Sequence, residues 1–63
     1  MGERLKKIRK DAGLTQVQLA EKLGFSQFTI AAMETERTQP TIQTIRQYVK
    51  LFGVTADYII GVE

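Results

Sequence analysis

Residues 15–34 read Thr-Gln-Val-Gln-Leu-Ala-Glu-Lys-Leu-Gly-Phe-Ser-Gln-Phe-Thr-Ile-Ala-Ala-Met-Glu, the pattern of two short helices hinged at Gly24. Thr15 and Gln18 stand at the spacing of a capping box, in which each side chain satisfies a backbone donor of the other's turn. Leu14 and Leu19 add a hydrophobic staple. Leu19, Ala20 and Leu23 share one face of this first helix of the pair, while Gln18, Glu21 and Lys22 face water. It stops at Gly24, a residue that tolerates left-handed backbone.

Only Phe25 separates Gly24 from Ser26, the next N-cap, and Phe25 with Ile30 repeats the staple. Two capped helices joined by so short a turn cannot lie antiparallel and must cross steeply. That is the helix-turn-helix arrangement, whose second helix can enter the major groove of DNA. Ile30 and Met33 point inward, leaving Gln27, Phe28, Ala31, Ala32 and Thr35 on the opposite face. That face carries no formal charge, which is unusual for a solvated helix and expected of one that meets base edges. Glutamine can bond both the donor and the acceptor of adenine in the major groove, and phenylalanine and alanine can pack on thymine methyls. Ser26, Gln27, Phe28, Ala31 and Ala32 therefore form the candidate base-reading set, in a site containing A·T pairs. A blander reading stays open, with Gln27 an ordinary early-helix polar residue and Phe28 the cover of a neighbouring loop.

The flanks read as support. A first helix spans roughly Gly2 to Ala12, with Leu5, Ile8 and Ala12 as its buried seam and Gly13 as its end. The loop Thr35-Glu36-Arg37-Thr38-Gln39-Pro40 offers Arg37, Thr38 and Gln39 as donors for phosphate oxygens, Arg37 foremost; equally, Arg37 can neutralise Glu34 or Glu36. A fourth helix starts after Thr41 and carries Ile42, Ile45, Tyr48, Val49 and Phe52 as an apolar core stripe up to Gly53. Arg46 and Lys50 lie on its outer side. A last short helix follows Thr55 as N-cap, with Asp57 in its first turn and Gly61 as its end.

At 63 residues the chain has the size of one domain near the lower limit, burying roughly 60% of its unfolded surface. It contains neither cysteine nor histidine, which leaves no disulfide framework, no thiolate zinc site and no imidazole catalyst. The acids Glu21, Glu34, Glu36 and Asp57 show no paired spacing, so an enzyme is not expected, nor is a cofactor, a metal or a small-molecule ligand. No run approaches the roughly 18 apolar residues that cross a bilayer, and no signal-peptide pattern opens the chain, so a cytoplasmic protein without membrane partners is expected. Net charge is +2. It is unevenly spread: residues 1–10 hold Arg4, Lys6, Lys7, Arg9 and Lys10 against Glu3, a local balance of +4, and the remainder is −2. A basic first helix suits a polyanion, although a solvated basic face reads almost as well.

Leu14-Thr15-Gln16, the run Leu19-Ala20-Glu21-Lys22-Leu23-Gly24, Ser26, Ile30, Glu34, Pro40 and the closing Leu51-Phe52-Gly53-Val54-Thr55 with Asp57-Tyr58-Ile59-Ile60-Gly61 together resemble the lambda-repressor-like helix-turn-helix family of phage repressors, Cro-type proteins and bacterial regulators. The likeness runs from Leu5 to Gly61. One departure stands out, since the family usually has glycine two residues after the glutamate and this chain has Glu36.

The resemblance implies an all-α, five-helix domain and gives several residues roles. Arg9 is expected to pair with Glu34 and to lie near a phosphate. Thr15 and Gln16, at the start of the second helix, are expected at the DNA backbone with Arg37 and Thr38, positioning rather than specifying. Val54, Ala56, Asp57 and Tyr58 are expected to form a small two-fold contact on DNA, unless Tyr58 and Ile59 simply complete the core.

Together these features point to a sequence-specific, double-stranded DNA-binding transcriptional regulator of the repressor kind. It is expected to bind a palindromic operator as a homodimer, with half-sites about 34–36 Å apart. The rival reading is a protein-interaction module, antitoxin-like or adaptor-like, that uses Phe28, Ala31 and Ala32 as an apolar dock. Salt dependence separates the two, because phosphate contacts weaken steeply as salt rises.

Overall fold

The computed structural model describes residues 1–62. Its helices are α1 (Gly2–Asp11), α2 (Gln16–Leu23), α3 (Gln27–Glu34), α4 (Ile42–Phe52) and α5 (Ala56–Ile60), with no strand among the described residues. The all-α, five-helix expectation holds, and the capping residues explain the boundaries. Thr15, Ser26, Thr41 and Thr55 each accept the backbone N–H three residues on, a contribution of about 1 kcal/mol apiece. The box at Thr15 closes both ways, at 3.1 Å from the Gln18 amide and 2.9 Å from the Thr15 amide to Gln18 Oε1. At Gly24 φ is 76°, and the amides of Gly24 and Phe25 both donate to the Ala20 carbonyl. The left-handed turn therefore completes the end of α2 and points the chain directly into α3.

α3 lies against both α1 and α2, while α5 packs on α1 and α4. Leu5 and Ile8 of α1, Leu19, Ala20 and Leu23 of α2, Ile30 and Met33 of α3, Tyr48 of α4 and Ile59 of α5 make the core. A fully buried aliphatic side chain of this kind contributes roughly 1.5–3 kcal/mol. With Ile30 and Met33 turned inward, the opposite face of α3 has to look out.

Two expected core residues are not buried. Ile42 is 73% exposed. It precedes Tyr48 by six residues, which at about 100° per residue places it roughly 120° around the helix from the fully buried Tyr48. The stripe instead starts at buried Thr44, whose hydroxyl lies 3.1 Å from that of the cap Thr41. Ala12 is also exposed. It lies on the right face of α1 but beyond its last turn, where it lines a cleft shared with Phe52, Val54 and Tyr58. Arg9, one turn after Leu5, is the last buried residue of α1.

The N-terminus of α1 closes against the C-terminus of α3. A Cβ on Gly2 would stand 2.5 Å from the Glu34 carbonyl and 2.7 Å from that of Met33, so only glycine allows this approach. Glu36 meets the same junction and adopts φ 63°, the single non-glycine residue with positive φ among those described. The family's glycine preference at this position is thereby explained: the loop needs left-handed backbone, which costs an ordinary residue about 1–2 kcal/mol. Glu36 recovers part of that through a 3.4 Å ion pair with the Met1 amine, an exposed contact of modest value. Glu36→Gly is expected to raise the thermal midpoint by a few degrees, about 1 kcal/mol at most once the looser unfolded chain is counted. A lower midpoint would mean that the Met1 pair outweighs the backbone strain.

Candidate nucleic-acid interface

The outer face of α3 is presented as the helical spacing requires. Gln27 is exposed, Phe28 is 87% exposed, and Ala31 and Ala32 are half-buried beside them. Phe28 covers no loop, so the blander expectation for it is not met. Ser26 is exposed but occupied: its hydroxyl accepts the Thr29 amide at 3.2 Å and lies 3.1 Å from the Thr29 hydroxyl. Thr35 turns its own hydroxyl back onto the Ala31 carbonyl at 2.8 Å, which seals the end of the helix.

The start of α2 adjoins this face. Gln16 follows the cap Thr15 and is half-buried alongside α3, donating from Nε2 to Glu34 Oε1 at 3.2 Å and accepting from Gln27 Nε2 at 3.4 Å. Below it, Arg9 and Glu34 form a buried two-pronged pair, with Nε to Oε2 at 2.7 Å and Nη2 to Oε1 at 3.0 Å. A third guanidinium bond reaches the Leu14 carbonyl at 2.9 Å. The bond to Glu34 raises Arg9 above the ordinary arginine value despite burial, which pulls the other way. The expected Arg9–Glu34 contact is therefore present. The Arg9 side chain is only 9% exposed, and it braces α1 against the end of α3 and the residue before the α2 cap.

Arg37 and Thr38 are exposed in the loop after α3, with their amides donating to the Ala32 carbonyl at 2.9 and 3.3 Å. These bonds hold the loop to the same helix that carries the reading face. Arg37 neutralises neither acid, because Glu34 is taken by Arg9 and Glu36 lies with the Met1 amine. Its charge faces solvent.

At the far end, Val54 and Tyr58 are half-buried, Ala56 and Asp57 are exposed, and Ile59 is wholly buried. The Tyr58 ring lies under the Arg4 guanidinium at 4.7 Å, and Arg4 donates to the Tyr58 carbonyl at 2.8 Å. Ile59 is thus core, and Tyr58 is divided between α1 and the surface.

Residues 5–59 match the helix-turn-helix family. This chain belongs to that family, in its lambda-repressor-like form. It is 40% identical to the immunity repressor protein of Bacillus phage phi105 over 63 residues, covering 100% of this chain and 44% of that protein. It is 34% identical to the HTH-type transcriptional regulator ImmR of Bacillus subtilis over 61 residues, 97% of this chain and 48% of the relative. The HTH-type transcriptional activator BcrR of Enterococcus faecalis is 34% identical over 61 residues, 97% and 30% of the two chains. This helix-turn-helix chain spans less than half the length of these relatives. No solved structure matches it.

Two features of this helix-turn-helix site escape a reading of the sequence. Thr38, Gln39, Gln43, Arg46 and Gln47 line a groove with Phe25 and Thr29, so the polar flank of the site continues from the loop onto α4. The signal was present as the Gln43, Arg46, Gln47 spacing, but the apolar stripe of α4 drew the reading to its other side. The second feature is the link from Glu34 through Gln16 to Gln27, since nothing in local spacing brings residues 16, 27 and 34 together. Among the described residues no helix is long and apolar enough to cross a membrane, and no cluster of acids could hold a metal ion.

Proposed function

We propose that this chain is the DNA-binding part of a transcriptional repressor, reading double-stranded DNA with α3 and holding a palindromic operator as a dimer. The observation that carries the reading is the uncharged outer face of α3, with exposed Gln27 and an 87% exposed Phe28, bonded at its start to Gln16 and at its end to the loop that holds exposed Arg37 and Thr38. A helix lying in the major groove needs that order: base-reading side chains on the helix and phosphate donors along both flanks. Gln27 meets adenine, while Phe28 and Ala31 meet thymine methyls. The α2 N-terminus adds its unpaired amides and the positive end of its dipole toward the backbone. Two chains joined through Val54, Ala56, Asp57 and Tyr58 place their α3 helices about 34–36 Å apart, and occupancy of a promoter blocks transcription sterically. The relative named an immunity repressor, at 40% identity against 34% for the activator BcrR, supports the repressor sense.

Gln27→Ala is expected to cost about 1–3 kcal/mol on the preferred site and to relax selection at one base pair per half-site. Arg37→Ala weakens all sequences alike and flattens the salt dependence by about one phosphate contact. Competition binding with preferred and random duplexes distinguishes the two. Equal losses on both duplexes for Gln27→Ala would remove its assigned role.

The exposure of Phe28 also favours a second reading, an apolar dock for a partner helix. Association through that dock would be nearly insensitive to salt, and DNA binding would be absent.

A further inference from the structure

Past Gln27, the polar side chains of α3 and its caps are each bonded within the protein. The Thr29 hydroxyl lies 3.1 Å from that of Ser26, the Thr35 hydroxyl donates to the Ala31 carbonyl at 2.8 Å, and Glu34 is buried with Arg9. What remains on the outer face is hydrocarbon. Phe28 is 87% exposed, with half-buried Ala31 and Ala32 one turn beyond it. Such a surface cannot tell a hydrogen-bond donor from an acceptor. Among the donors and acceptors of the major groove there is a single apolar group, the methyl at C5 of thymine. Against that groove Phe28, Ala31 and Ala32 register whether a pyrimidine carries a methyl and nothing else of its identity.

We propose that α3 beyond Gln27 reads pyrimidine C5 methyl groups, so that duplex DNA carrying 5-methylcytosine is a ligand of this chain, equivalent there to thymine. The proposal rests on α3 entering the major groove as set out above and extends that reading to a second class of DNA. Cytosine methylated at C5 has the methyl of thymine on the same ring atom. It differs at C4, where an amino group replaces oxygen, and neither Phe28 nor the two alanines can bond either group. Closing the methyl against the Phe28 ring takes apolar surface of both out of water, whereas a C5 hydrogen leaves a gap. Methylation of a cytosine therefore turns a position that the face passes over into one that it holds. The effect is confined to pairs that Gln27 does not read, because Gln27 separates adenine from guanine by hydrogen bonds. Exposed Arg37 and Thr38 after the helix supply donors that phosphates along a groove require and an apolar protein dock does not.

The test uses the full chain and the duplex it selects from an unmodified random pool. Each thymine of that duplex is replaced in turn by uracil, by cytosine paired with guanine, and by 5-methylcytosine paired with guanine. Thymines whose selection survives Gln27→Ala are the ones assigned to the apolar face. At these, uracil is expected to weaken binding by about fourfold, the worth of one buried methyl group. Cytosine should bind no better than uracil, and 5-methylcytosine should bind about fourfold more tightly than cytosine. Phe28→Ser changes a side chain outside the core and should bring both ratios close to one. Equal binding of uracil and thymine overturns the methyl reading, as do ratios that Phe28→Ser leaves unchanged or a Gln27→Ala variant that keeps no thymine preference. A loss with uracil that 5-methylcytosine does not restore over cytosine overturns it too, because the face would then be sensing the group at C4. Each of these results leaves α3 a reader of DNA. A pool that yields no selected sequence removes that reading and the present proposal together.

Discussion

Glu34→Ala is expected to lower stability by about 3–5 kcal/mol, the cost of leaving one member of a buried ion pair without its partner. Both side chains are almost wholly enclosed, at 9% and 2% exposure, and the carboxylate is the acceptor for two of the three guanidinium bonds. Truncation leaves the Arg9 charge in the core with the Leu14 carbonyl alone and removes the acceptor that holds Gln16. A chain of 63 residues has a total stability on the order of 3–9 kcal/mol, so the variant should be partly unfolded at room temperature. Urea unfolding measures this directly. A double-mutant cycle with Arg9→Met separates the pair from the cavity each truncation leaves: coupling above about 1 kcal/mol is expected, and additive losses would show that the two charges stand independently.

The second large effect concerns Tyr48 and alkaline pH. Its ring is fully buried against Phe52, with centroids 5.8 Å apart, and its hydroxyl has no hydrogen-bond partner among the described residues. Burial pushes the phenol up to about 12, helped by the Glu34 charge and opposed by Arg9. The folded chain thus keeps a proton that the unfolded chain releases near pH 10. Its contribution to stability is whole below about pH 10 and is lost as pH rises through 12, by at most about 3 kcal/mol. Tyr48→Phe removes both the titration and a buried hydroxyl without a partner. At neutral pH the variant should be as stable as the parent or more so, because the hydroxyl's desolvation cost of about 1–3 kcal/mol disappears. Its advantage should widen between pH 10 and 12. Thermal unfolding of the two proteins across that range is the check. A loss at neutral pH would mean that the hydroxyl is bonded in solution, and a constant difference would put the alkaline transition elsewhere.

Local chemistry made much of this fold legible in the sequence. Thr15 with Gln18, Ser26, Thr41 and Thr55 are caps because of what their side chains can reach three residues away, and Gly24 ends α2 because of its φ. Such features depend on neighbours in the chain alone. Ile42 and Ala12 were misplaced because periodicity gives the direction of a residue around its helix but not whether another helix lies opposite. The Arg9–Glu34 pair followed from family likeness, since no rule of spacing joins residues 25 positions apart. The bonds of Gln16 lay beyond both kinds of reading: its place at the first position of α2 suggested phosphate, while its carboxamide also reaches inward to Glu34 and across to Gln27. Glu36 is a departure whose meaning needed the backbone, because only φ 63° shows why glycine suits that place.

Site selection from a random duplex pool at physiological salt, followed by titration of the winning site against salt, tests the central reading most directly. The prediction is a palindromic consensus with A·T pairs at matching half-site positions one helical turn apart, and an affinity that falls steeply as salt rises. No enrichment of any sequence, with weak binding indifferent to salt, would contradict it and assign the α3 face to a protein partner.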